Sequence, residues 1–203
     1  MCGCLKYIPS FENTSYNDED WVIVSEWFGN HYNATREFSE GNQKVLLDQL
    51  FVFQPKTILE IGVQRNPLEF SSTGIFLKYK NLNTIYIGID IEDKSHLNDP
   101  SKNIYTIKTD SANYAAVYDL MKQLNIKEFD LIFIDGFHSI NRVVKELKYV
   151  EILSESGVVI MHDTNWHPGP TTIFDAIDEN VYKKQKFCTD QNDWGISIFY
   201  KKR

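Results

Sequence analysis

Two stretches of this 203-residue chain set an acid close to a histidine: Asp135-Gly136-Phe137-His138 and His162-Asp163-Thr164. Carboxylates on adjacent strand ends suit a hard divalent cation such as Mg2+, which takes few protein ligands and keeps positions open for water and substrate oxygens. Such an ion orients a substrate hydroxyl or diol and lowers its pKa, while a nearby neutral imidazole removes the proton as the oxygen attacks. Asp135, Asp163 and His162 are the candidate metal ligands, with Thr164 as an alternative to His162. The plainer reading needs no metal: Asp135 caps the region that follows it, and His138 and His162 are satisfied by backbone partners. No Cys/His spacing points to zinc, and no G-x-S-x-G turn points to a serine hydrolase.

The surrounding elements explain why these residues meet. Leu131 to Ile134 and Val158 to Met161 are short continuous apolar runs, the pattern of parallel strands covered on both faces. Between them Ile140, Val143, Val144, Leu147 and Val150 recur at helical spacing, which makes one βαβ unit. A right-handed crossover puts both strand ends on one edge of the sheet, so Asp135, His138, His162 and Asp163 converge on one crevice.

Strands and helices alternate from Thr57 onward. Strands are expected over Thr57 to Ile61, Thr84 to Ile89 and Ile104 to Lys108, with helices around Thr73 to Lys80 and from Ser111 to Leu124. Asn165 to Pro170 form a loop over the site, with Trp166 and His167 as candidate substrate contacts, before a helix from Thr171 to about Val181. Two strands, near Gln185 to Thr189 and Trp194 to Tyr200, close the chain as an antiparallel pair around a turn at Asp190 to Asp193. Ahead of the sheet, a short amphipathic helix carries Trp21, Val24, Trp27 and Phe28, and a second helix runs from about Glu40 to Phe53 before Pro55 stops it. Residues 1–55 read as an N-terminal helical extension and 56–203 as the core of a single structural domain.

The strands end in or near acids: Glu60, Asp90, Asp110, Asp135 and Asp163. In an open α/β sheet ligands bind beyond the carboxyl ends of the strands, so these five are expected to line one negative crevice. A pyrophosphate is disfavoured there, because Gly62 is followed by no further glycine until Gly74. An adenosine ligand without phosphate escapes that need, and Asp90, 28 residues beyond Gly62, is placed to hold ribose hydroxyls, with Glu92 as the alternative acid.

Charge narrows the partners. The formal net charge of −7, from 21 basic and 28 acidic residues, argues against nucleic acid and favours a cationic or neutral small ligand. No apolar run approaches the length of a membrane span and the first residues lack a signal-peptide pattern, so no membrane partner and a cytoplasmic location are expected. Cys2, Cys4 and Cys188 are too few for a disulfide framework or a four-ligand zinc site. Trp21, Trp27 and Phe28 would permit a homodimer without requiring one.

Five pieces in order resemble the class I S-adenosylmethionine-dependent methyltransferases: LEIGV at Leu59 to Val63, YIGIDIE at Tyr86 to Glu92, KTDSAN at Lys108 to Asn113, FDLIFIDGFHS at Phe129 to Ser139 and SGVVIMHDT at Ser156 to Thr164. Within that class the chain is similar, from about Lys56 to its C-terminus, to the small O-methyltransferases related to the macrocin and cephalosporin hydroxylase group and to catechol O-methyltransferase. The resemblance implies a Rossmann-like methyltransferase fold: a seven-stranded, mostly parallel sheet with an antiparallel last strand and helices on both faces. It implies S-adenosylmethionine as cofactor, with Glu60 and Gly62 by its methionine part, Asp90 on the ribose, and Asp110 and Ser111 near the adenine. Asp135 is implied in cofactor binding and catalysis as well as in the metal site, and His138 takes the position of the general base. The activity so implied is Mg2+-assisted O-methylation of a hydroxyl on a small molecule or sugar.

One departure sets up the alternative. The family has further small residues soon after its first motif glycine, whereas this chain reads Val63-Gln64-Arg65-Asn66-Pro67-Leu68-Glu69-Phe70 before Ser71. Either Ser71 to Thr73 open the helix after an insertion, or the chain is a catalytically degenerate binding or interaction module. A Rossmann-type oxidoreductase is disfavoured by the same lack of glycines.

Overall fold

A computed structural model of the chain describes residues 40–64, 68, 71–165, 167–187 and 194–203. The expected helix around Trp21 to Phe28, the residues invoked for a homodimer, Trp166 and the turn Asp190 to Asp193 lie outside the described residues. The strands are β1 (Thr57–Ile61), β2 (Ile85–Asp90), β3 (Ile104–Lys108), β4 (Phe129–Ile134), β5 (Leu153–His162), β6 (Tyr182–Phe187) and β7 (Ile196–Lys201). They form one sheet in the order β3-β2-β1-β4-β5-β7-β6. Neighbours among β1 to β5 run parallel, and β7 runs antiparallel between β5 and β6. The order reverses between β1 and β4, the place where a doubly wound sheet opens its ligand crevice.

The helices are α1 (Glu40–Phe53), α2 (Ser72–Tyr79), α3 (Tyr114–Gln123), α4 (Ile140–Glu146) and α5 (Pro168–Ala176). Two buried clusters show how they cover the sheet. One joins Val117 and Met121 of α3, Ile140 and Val143 of α4 and Ile173 and Phe174 of α5 to Leu59, Ile61, Ile132 and Val159. The other joins Val45, Leu46 and Leu50 of α1 and Ile75 and Phe76 of α2 to Ile58, Tyr86, Phe133 and Ile160. Alternate residues of each strand therefore face opposite layers, and both layers are apolar, as continuous apolar runs require. Full burial of a side chain such as Leu46 or Phe76 contributes roughly 1.5–3 kcal/mol.

Several boundaries differ from the expectation for local reasons. Helix α3 starts at Tyr114, not Ser111, because the Asp110 carboxylate accepts the Ala112 N–H at 2.7 Å and the Tyr149 hydroxyl donates to the Ser111 carbonyl at 2.7 Å, holding that segment as a turn. Helix α4 gives way to a 3-10 helix over Leu147–Ile152. Strand β5 begins at Leu153, five residues early, and its pairing with β4 shifts register between Phe129 and Leu131, where Ser154 donates to Asp130 at 2.8 Å. Helix α5 begins at Pro168 and ends at Ala176, because proline is at home in a first turn and Ile177 turns extended with its side chain buried. The last pair sits at Tyr182–Phe187 and Ile196–Lys201, since Tyr182 is a core residue packed edge-on against Phe199 with ring centroids 5.5 Å apart.

Candidate active site

The carboxyl ends of β1, β2 and β4 and the turn after β3 surround a cavity of about 370 Å³. Its charged lining is Asp90, Glu92, Asp110, Asp135 and Glu146 against Lys94 and Arg142. Asp90 ends β2, where Oδ2 accepts the Val63 N–H and Oδ1 the Glu92 N–H, each at 2.8 Å. Each carboxylate oxygen carries a second lone pair, so Asp90 retains acceptor capacity toward the cavity. Asp110 follows β3, and Arg142 donates to the same Oδ1 that holds Ala112, which leaves Oδ2 available. The Ala112 N–H, with Arg142 behind it, holds the Asp110 carboxyl below its ordinary range.

Gly62 forms the floor. Its φ of 87° lies in the left-handed region, and a Cβ there would run into the Asp135 carbonyl oxygen, so only glycine lets β1 and β4 approach so closely. Of the segment that lacks further glycines, Val63, Gln64 and Leu68 are among the described residues, and side chains hold Gln64. Thr73 Oγ1 accepts the Gln64 N–H at 3.0 Å, and the Lys94 ammonium, only 8% exposed, donates to the Gln64 carbonyl and to Glu92, each at 2.9 Å.

Glu60 is not part of the cavity. Position 60 of β1 faces the α2 layer, where Ser72 Oγ donates to Oε1 at 2.5 Å and the Tyr86 hydroxyl donates to Oε2. The residue is fully buried, and burial pushes its carboxyl up to about 8 against those hydrogen bonds. Glu60 therefore pins α2 to the sheet beneath Gly62, and the expected crevice of five acids is in fact two groups plus this buried one.

The second group lies beyond β4 and β5. His138 Nε2 is 2.8 Å from Asp163 Oδ2 and 3.5 Å from Asp135 Oδ1. His162 Nδ1 lies 3.3 Å from Asp135 Oδ1 and 3.2 Å from Asp163 Oδ1. The four residues flagged by type and spacing are thus brought together, and Asp135 belongs to both this cluster and the cavity. Asp163 has a φ of 59°, a left-handed conformation that costs a non-glycine residue energy and turns the carboxylate in toward the two rings.

Two triads among the described residues have donor atoms within 4.8 Å of one another: Asp135, His162 and Asp163, and His138, Asp163 and His167. In the second set the His138 and His167 rings are stacked, with centroids 4.3 Å apart and planes 28° from parallel. An imidazole lone pair lies in the plane of its ring, so stacked rings do not aim at one ion. The first triad is the set able to hold a metal. Thr164, the alternative ligand, is fully buried and hydrogen-bonded to Ser197 at 2.5 Å, turned toward β7. His167, expected as a candidate substrate contact, and Trp194 form a stack behind His138: His167 is buried between His138 and the Trp194 ring, 5.3 Å away.

The electrostatics follow from this enclosure. Burial opposes a charged His138, but Asp163 and Asp135 outweigh it and push the ring up to about 9. Burial likewise opposes a charged His162, and the same two acids hold it well above the ordinary range. Burial alone would raise Asp135 and Asp163, yet the two imidazoles bring both below it, Asp163 furthest. His167 has the opposite fate: burial and the neighbouring His138 charge hold it down to about 3, a neutral ring.

Two contributors were missed from sequence. Glu146 sits at the inward spacing of Ile140 and Val143, and a charged residue on an apolar stripe was the available signal. Burial pushes its carboxyl up to about 8; Ser111 donates to Oε1 at 2.8 Å, and a Cβ on Gly136 would collide with it. Asn42 of α1 reaches His162, with Nδ2 3.2 Å from Nε2; nothing local in the sequence marks it, because the contact spans 120 residues.

A doubly wound α/β sheet with the order 3-2-1-4-5-7-6 and an acid-lined crevice at its switch point defines the Rossmann-like methyltransferase class of fold. Within it, the chain belongs to the rhamnosyl O-methyltransferase/CmcI family, whose profile matches residues 30–193. No curated protein matches the sequence. Among solved structures, an O-methyltransferase from Bacillus cereus in complex with SAH superposes with a TM-score of 0.59 at 13% identity, covering 98% of each chain. MycE methyltransferase from the mycinamycin biosynthetic pathway, in complex with Mg, SAH and mycinamycin VI, gives a TM-score of 0.56 at 17% identity over 91% of this chain and 55% of its own. The SAH-bound Podospora anserina methyltransferase PaMTH1 gives 0.54 at 15% identity, over 95% of this chain and 92% of its own. The chain thus spans about half the length of MycE, and at these identities the superpositions speak for the fold.

Proposed function

We propose that this chain binds S-adenosylmethionine in the cavity over Gly62 and methylates a hydroxyl of a small, sugar-like acceptor, with a divalent cation at Asp135, His162 and Asp163 and His138 as the base. The observation that carries the reading is the position of Asp135, which is shared by the cavity and the histidine cluster. Cofactor bed and proton acceptor then lie on either side of one carboxylate. Support also comes from the family and from the Mg and SAH named for MycE.

The residues fit such a cofactor. The volume is in the range of small-molecule sites, the surplus of acids suits a sulfonium cation, and Gly62 lines the cavity where β1 closes on Asp135. Ile91, 75% exposed at the rim, and Phe137 supply apolar surface for a base, while Asp90 holds ribose hydroxyls and Asp110 Oδ2 and Ser111 lie toward the adenine. The cofactor supplies an electrophilic methyl group, and a bound divalent cation holds the acceptor oxygen and lowers its pKa. His138 Nε2 receives the acceptor proton, Asp163 steadies the ring that carries it, and His167 fixes the ring plane by stacking. Proximity and alignment of the two partners supply much of the rate.

Calorimetric titration of the purified chain with S-adenosylmethionine and S-adenosylhomocysteine, with and without a divalent cation and with NAD as comparison, tests this. Micromolar binding of the sulfur nucleosides is expected. A folded protein that binds neither would leave the degenerate binding module as the reading, with the segment from Val63 to Phe70 as the reason.

A further inference from the structure

We infer that the ion suited to Asp135, His162 and Asp163 is a first-row transition ion that accepts imidazole, such as Mn2+, Fe2+, Co2+ or Zn2+, in preference to Mg2+, with His162 Nδ1 as its nitrogen ligand. The inference deepens the proposed function, since it rests on that reading's demand for a divalent cation here.

The argument starts from the strand. His162 is the last residue of β5, paired with Ile196 of β7, and its ring lies on the α1 side of the sheet against Phe133, centroids 6.4 Å apart. Buried and fixed there, it presents Nδ1 to the same gap that Asp135 Oδ1 and Asp163 Oδ1 face, at 3.3 and 3.2 Å. One of three protein donors is therefore a nitrogen. Mg2+ favours an all-oxygen shell, whereas imidazole suits the later first-row ions, and two carboxylates with one imidazole belong to their chemistry.

The far side of the ring completes the case. A ligating histidine normally donates its other N–H to a carbonyl or carboxylate, which fixes the tautomer. Asn42 stands 3.2 Å from Nε2, and a half-turn of its amide offers Oδ1 to an Nε2–H, which leaves the Nδ1 lone pair aimed at the two carboxylates. A magnesium site built from oxygens alone has no use for that arrangement.

Because nitrogen and oxygen sites generally bind later divalent ions more tightly, the raw ratio of affinities decides nothing, and the test is the direction of change. The metal-stripped full chain is titrated with Co2+, read by its visible ligand-field bands, and with Mg2+, read by calorimetry. His162→Glu, which replaces the nitrogen with an oxygen donor, is expected to lose roughly tenfold in Co2+ affinity and to gain in Mg2+ affinity. His167→Ala is expected to leave the Co2+ bands unchanged. A His162→Glu variant that loses both ions, or alters neither, overturns the inference, as does loss of the bands in His167→Ala. Should His162→Glu fail to fold, the ring 15N shifts of the wild type under Zn2+ decide: the His162 Nδ1 resonance moves, and one that stays put overturns the assignment. Titration of the same samples with S-adenosylmethionine separates the two readings, because its failure sinks the methyltransferase proposal while leaving the metal readout intact.

Discussion

His138 Nε2 lies 2.8 Å from Asp163 Oδ2, and in the proposed reaction that contact governs when the ring can accept a proton. With Asp163 and Asp135 both ionised beside it, the pKa of His138 is raised to about 9, so in the metal-free chain the ring is protonated at neutral pH and becomes an acceptor only above that value. A cation drawing on the same two carboxylates removes the negative charge that holds the proton. The rising limb of the plot of kcat against pH is therefore expected near 9 without added cation and at lower pH with it. Asp163→Asn is expected to shift the metal-free limb down and to cost roughly 10²- to 10⁴-fold in the cation-dependent rate. Limbs that coincide under all these conditions would remove His138 from the role of base.

Glu60 gives a stability prediction with a definite sign. Its pKa is raised in the folded chain, from 4.5 to about 8, so the folded state binds the proton more tightly than the unfolded one. That contribution is fully present below about pH 4.5 and is lost as the pH rises through about 8. Glu60→Gln cannot ionise, and its amide can still accept from Ser72 and donate toward Tyr86. The variant is expected to flatten the fall of Tm between these limits and to gain on the order of a few degrees at about pH 9. A variant whose Tm follows pH as steeply as the wild type does would show that Glu60 is ionised in the fold.

The difference between these two acids explains how far the sequence could be read. The βαβ unit from Phe129 to His162 was legible because continuous apolar runs and a 3.6-residue stripe each have one structural solution, and the handedness of the crossover then brought His138 and Asp163 together. Glu60 and Asp90 look alike as strand-end acids, yet one is swallowed by the α2 layer and the other faces the cavity. The deciding fact is position along the strand: by register both fall on one face, Glu60 opposite Gly88, but Glu60 lies inside β1 beneath Ser72 and Tyr86 while Asp90 is the last residue of β2 and meets the cavity. His167 was read as a loop residue over the site, but α5 begins one residue later and draws it under His138. Asn42 and Glu146 act across distances at which no local pattern survives.

Gly62→Ala is a test of the floor. The added Cβ meets a main-chain carbonyl, which cannot rotate away, and the left-handed backbone adds strain of roughly 1–3 kcal/mol. The variant is expected to lower the Tm measurably and to weaken cofactor binding together, because the only escape is separation of β1 from β4 at Asp135. Alanine tolerated with unchanged melting and unchanged binding would mean that the two strand ends do not approach as described.

In the proposed function Asp90 and Glu92 are the two candidates for the ribose contact, and they differ in what each already holds. Asp90 ends β2 with both oxygens on backbone amides, which fixes its carboxylate at the cavity wall, whereas Glu92 is spent in part on Lys94. Asp90→Ala is expected to weaken S-adenosylhomocysteine binding by about 1.5–3 kcal/mol, since hydrogen bonds to an ionised acceptor are lost. Part of that loss passes through Val63, whose N–H would be left without its acceptor, so Asp90→Asn is the sharper variant. It keeps one oxygen for an amide but carries no charge, and should lose affinity with a smaller fall in Tm. Glu92→Gln retains a side-chain oxygen for Lys94 and is expected to change Kd by no more than about 0.5 kcal/mol, as for an exposed position. Isothermal titration of the three variants beside their thermal melts decides the matter: a larger loss in Glu92→Gln than in Asp90→Asn would transfer the ribose contact to Glu92 and leave Asp90 as a clamp for the Val63 loop.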